Sequence, residues 1–151
     1  MSFQKAHQIS NELAEVVVQT AVTTSDLSGA ATNVPFLFQP MNKSYRILEI
    51  GVVTTNATAS TGATALFGTT SGGSEIVINT DNAFAIDAEQ GRVYSTSNVI
   101  ALNSDGAALD ADGVPRLEKG QSLFFRNLGT ASAGTTVIAF ARLAPELDRE
   151  V

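Results

Sequence analysis

The stretch Tyr45–Gly68, YRILEIGVVTTNATASTGATALFG, decides how the chain is read. From Tyr45 to Thr55 it sets Leu48, Ile50 and Val52 on one side of an extended backbone and Tyr45, Ile47, Glu49 and Val53 on the other. That period of two marks a strand. The run then dissolves into Thr, Ala, Ser and Gly and resumes as strand at Ala63. The simplest reading is two antiparallel strands joined by a long hairpin loop over Asn56–Thr64, where Gly62 and small polar residues supply turn chemistry and no burial. Loops of that length are usually functional or disordered. This one carries no group able to do chemistry, which leaves a contact role or plain mobility.

Working outward, Ala14–Thr24 sets Val16, Val18 and Val22 against Glu15, Gln19 and Thr23. Val34–Phe38 is a short apolar run whose Pro35 puts it at a strand start or a sheet edge. Ala63–Thr70 and Glu75–Asn79 read as two strands about a Ser71–Gly73 turn. Thr80–Glu89 reads as a helical turn or irregular crossover with Phe84 and Ile86 inward, and Arg92–Tyr94 and Asn98–Asn103 as short strands. Asp105-Gly106 and Asp112-Gly113 mark turns. Gln121–Leu128 and Thr135–Leu143 form a closing hairpin around GTASAG. About eight antiparallel strands with hardly any helical periodicity predict an all-β chain, a single β-sandwich or jelly roll over residues 14–151. Residues 1–13 stand apart as a short N-terminal arm. Ile9, Leu13 and Val16 have helical spacing there, but the segment is short and poorly capped. It is either a frayed tail or an arm that orders on a neighbouring subunit, with Phe3 and Ile9 as anchors.

Composition removes most chemistry. A chain of 151 residues fits one domain that needs no staple, and the absence of Cys excludes disulfides, thiolate nucleophiles and Cys-based metal sites. In MSFQKAHQISNELAEVVVQT the short apolar run is approached through Glu12 and Glu15, so neither a secretion signal nor a membrane span is expected. The net charge of −6 comes from 15 acidic and 9 basic residues without a basic cluster, so nucleic acid is not an expected partner. Charged residues are only 16% of the chain, and small neutral and hydroxyl residues fill the gap, a surface able to pack on another protein at little desolvation cost.

The search for a site ends without one. His7, the only His, sits in the arm with nothing to orient it. A G-x-S-x-G elbow, a phosphate loop and a dinucleotide fingerprint are all missing. Asp81, Asp87 and Glu89 are close in sequence, yet spacing along strands does not make a facing carboxylate pair. With no Trp and two Tyr, the aromatic platforms of a sugar cleft are also scarce. Asp105, Asp110, Asp112 and Gly113 invite calcium, but an EF-hand alignment puts Ala108 and Lys119 at its first and last ligand positions. That leaves an irregular oxygen cage or an acidic exposed turn. The expectation is a non-enzyme with no catalytic residue, no cofactor and no metal.

Two strands are apolar on both faces. Leu123 and Phe125 oppose Phe124 and Leu128, while Val137, Ala139 and Ala141 oppose Ile138 and Phe140. A sandwich buries one face of each sheet, so the second apolar face calls for another cover: a subunit interface, or the chain's own arm and loops. The candidate partner-contact residues are Phe3, Ile9, Leu13, Ile138 and Phe140.

LEKGQSLFFRNLGTASAGTTVIAFARLAP (Leu117–Pro145), together with YRILEIGVV, resembles the small β-sandwich decoration, or cement, proteins on the outside of tailed-bacteriophage capsids. The resemblance implies a homotrimer bound to the major capsid protein at threefold points of the virion surface, made in the host cytoplasm, with an arm crossing a subunit boundary. A rival reading is a receptor-binding or sugar-binding tip of a phage fibre or tail. That rival calls for recognition loops with aromatics, and Asn56–Thr64 has none.

Overall fold

A computed structural model describes residues 14–20, 34–56, 60–63, 65–71, 76, 84–86, 90–96, 115–127 and 136–146. These residues form ten strands and no helix: β1 (Val16–Gln19), β2 (Val34–Pro35), β3 (Tyr45–Asn56), β4 (Ser60–Ala63), β5 (Ala65–Gly68), β6 (Phe84–Ile86), β7 (Val93–Ser95), β8 (Arg116–Leu117), β9 (Phe124–Asn127) and β10 (Thr136–Pro145). All pairings are antiparallel. The chain is all-β and sandwich-like, as its two-residue period predicts.

The principal sheet is built on β3 and β10, the two longest strands. Its order is β1-β10-β3-β7, with β8 pairing the start of β3. A second sheet runs β2-β9-β5, and β4 pairs β6 as a separate ribbon. The two sheets are stitched at one corner by a bridge between Thr20 and Phe36. There the Leu37 N–H donates to the Gln19 carbonyl at 3.0 Å and the Phe36 N–H to that of Leu123 at 2.8 Å. Thr20 is fully buried, and its hydroxyl oxygen accepts from the Ala139 N–H at 3.2 Å, so this inward polar group is satisfied.

The core lies between the sheets. β10 contributes Val137, Ala139, Ala141 and Leu143, and the second sheet contributes Val34, Phe67 and Phe125. Small alanines on one layer and large rings on the other give the alternation of volumes that close packing needs. Phe36, Phe67 and Phe125 form a tilted aromatic run with centroids 6.4 and 5.4 Å apart. At the edge Phe38 meets Tyr45 edge-on at 5.4 Å, a favoured quadrupole geometry.

Strict alternation in β3 is corrected by a bulge. Arg142 pairs with Glu49 but Leu143 pairs with Ile47, so Leu48 has no counterpart and the face reverses there. Ile47 and Ile50, expected on opposite faces, are both fully buried. Tyr45, Ile47, Ile50, Val52 and Thr54 therefore look inward, and Glu49, Gly51 and Val53 outward.

Three connections differ from expectation. The segment after β3 is not a hairpin loop, because β3 and β5 belong to different sheets and Ser60–Ala63 is itself a strand. That strand pairs with Phe84–Ile86, expected as a helical turn or crossover. β9 and β10 likewise make no closing hairpin: β9 pairs β2 and β5, whereas β10 pairs β1 and β3. Short sequence distance suggested hairpins where the chain crosses between layers. Ile76, within the expected Glu75–Asn79 strand, donates its N–H to the Phe67 carbonyl at 3.1 Å, so the chain turns back onto β5 there. The expectations for residues 1–13, for Asn98–Asn103 and for the 104–114 turns lie outside the described residues.

Gly51 marks the tightest approach inside the principal sheet. A Cβ there would run into the Tyr94 carbonyl oxygen and lie 2.6 Å from Ser95 Cα, both backbone atoms of β7. Gly51→Ala is expected to destabilise the fold by about 1–3 kcal/mol, read as a lower urea midpoint with an unchanged m-value. A midpoint equal to wild type would show that β7 does not press on β3.

Candidate interaction surface

The outward face of the principal sheet reads as rows across the strands, because directly opposed residues share a face. Val17, Arg142 and Glu49 make one row. Gln19, Phe140, Gly51 and Ser95 make the next. Ile138, Val53 and Val93 make the third. The bridge at Thr20 carries the face around the corner, where Leu37 lies beside Gln19.

Three of the four exposed large hydrophobics among the described residues fall on this continuous surface: Val17 at 69%, Leu37 at 72% and Val93 at 41% exposure. The fourth, Met41 at 73%, follows Leu37 in the connection to β3. Ile138, Phe140 and Val53 fill the middle and are half-buried. Sequence reasoning placed Ile138 and Phe140 on a second apolar face, and the register puts them there. It missed Val17, Leu37 and Val93. Val17 was hidden in the VVV run, where apolar neighbours on both sides mask which residue points out, and Leu37 was hidden in the same way in VPFLF. Phe3, Ile9 and Leu13 lie outside the described residues.

A charged row bounds the apolar ground. Arg142 sits between two carboxylates, with Nη1 at 3.2 Å from Glu15 Oε2 and Nε at 3.5 Å from Glu49 Oε2. The Ser95 hydroxyl donates to Glu49 Oε1 at 2.5 Å. Ion pairs and a hydrogen bond thus run from Glu15, just before β1, across β10 and β3 to β7. With Arg142 about two-fifths exposed, each pair contributes no more than about 1 kcal/mol. Their effect is to fix where positive and negative charge stand on the face. Further along, Arg116 Nη2 meets Glu146 Oε2 at 2.5 Å, and the Glu146 N–H donates to the Ser44 carbonyl at 2.9 Å.

Ser95 is buried and its hydroxyl donates to a carboxylate that an arginine holds. Among the described residues no group of three or more His, Asp or Glu could hold a metal ion, and no helix is long and apolar enough to cross a membrane. The acidic segment with Asp105, Asp110 and Asp112, and the carboxylates Asp81, Asp87 and Glu89, lie outside the described residues. No family model matches the chain, and no curated protein or solved structure matches it either.

Neighbouring valines of β1 give a direct check on the two faces. Val17→Asp is expected to stay within about 0.5 kcal/mol of wild type, as exposed substitutions do. Val18→Ala, which hollows a buried position, is expected to cost on the order of 2 kcal/mol. Equal losses in urea titrations would show that β1 is not presented as described.

Proposed function

We propose that this chain is a non-enzymatic structural protein of a virion that binds the outside of an assembled capsid and stabilises it. The observation that carries the reading is the outward surface over Leu37, Val17, Phe140, Ile138, Val53 and Val93, which lies on the side of the principal sheet away from the core cluster. A contiguous apolar face rimmed by charge is the signature of a docking protein. The resemblance of Leu117–Pro145 to capsid decoration proteins supplies the kind of partner. Stabilisation follows by mass action, because a ligand that binds only the assembled shell shifts the equilibrium toward it. Repetition over a lattice of identical sites makes modest single contacts sufficient. The shell contact falls on the most exposed apolar corner, Leu37 and Met41, with residues 1–13 as a second attachment.

The test is cosedimentation with purified tailed-phage capsids that lack their decoration. The protein is expected to pellet with them and to raise their melting temperature. Leu37→Asp with Met41→Asp is expected to weaken pelleting at least tenfold, the loss expected when an apolar anchor is replaced by an unpaired charge, while the isolated domain melts as before. Removal of residues 1–13 is expected to weaken pelleting in the same way without changing that melting temperature. Binding to cells or glycans with no affinity for capsids would overturn the proposal in favour of a receptor-binding tip.

A further inference from the structure

We draw no further inference here: the strongest candidate, the outward apolar face of the principal sheet over Val17, Phe140, Ile138, Val53 and Val93, belongs to the surface already described, and nothing in the structure shows what covers it.

Discussion

The antiparallel ladder between β3 and β10 is the constraint on which the rest of the molecule depends. Its ten register pairs extend from Tyr45 with Pro145 to Asn56 with Thr136. Every other strand of the principal sheet, β1, β7 and β8, bonds to one of these two. The bulge at Leu48 decides which side chains each strand sends inward. Without it Ile47 would point outward beside Glu49, and the core would lose one of its fully buried side chains, a loss of about 1.5–3 kcal/mol. The bulge also sets Glu49 directly opposite Arg142, so one irregularity completes the core and lays out the charge of the outer face.

That outer face is modest in energy and specific in layout. Complete burial of a Val, Ile or Phe side chain is worth about 1.5–3 kcal/mol, and Ile138, Phe140 and Val53 are already partly covered within the subunit. Association costs at least about 4 kcal/mol in lost translational and rotational freedom. A few such residues would exceed that cost by only a small margin, so a contact made on this face would depend on concentration. Under these conditions the position of the charges matters more for the choice of partner and register than for strength. Arg142 held between Glu15 and Glu49 suits that role, since its charge is fixed in place before any partner arrives.

Much of the fold was legible because a sheet's period is local. The long runs Tyr45–Thr55 and Thr135–Leu143 contain the two central strands almost to the residue, and the outward position of Ile138 and Phe140 followed from simple alternation. What alternation does not carry is pairing. A loop between two strands looks the same in sequence whether they are neighbours in one sheet or belong to two layers, so β3–β5 and β9–β10 read as hairpins. A bulge is equally silent, because it changes register without needing a distinctive residue, and Leu48 looks like any other strand leucine. The two-residue strand β8 was invisible for a related reason: Arg116–Leu117 is too short to show a period, and its place beside Tyr45 and Arg46 is set by pairing with a strand far away in sequence. The outer surface was half legible. Its centre stood out as an apolar strand on a second face, whereas Val17 and Leu37 are outward only because of their register against strands far away in sequence.

The wealth of threonine and serine, which reads in the sequence as a neutral surface, has a second use inside the fold. Ile50 donates its N–H to the Thr96 hydroxyl at 3.2 Å. The Arg92 N–H donates to the Thr54 hydroxyl at 3.1 Å, and the hydroxyls of Thr55 and Thr136 bond each other at 2.6 Å across the second irregularity of the β3–β10 ladder. Short hydroxyl side chains close backbone groups at strand ends and bulges, where a regular ladder would leave them open. A charged side chain in those places would have to be desolvated at several kcal/mol. The same choice that completes the ladders also keeps charge on the outward face to a narrow row. Another polypeptide could therefore approach the remaining rows without stripping water from ions, which is how the unusual composition supports the proposed contact role.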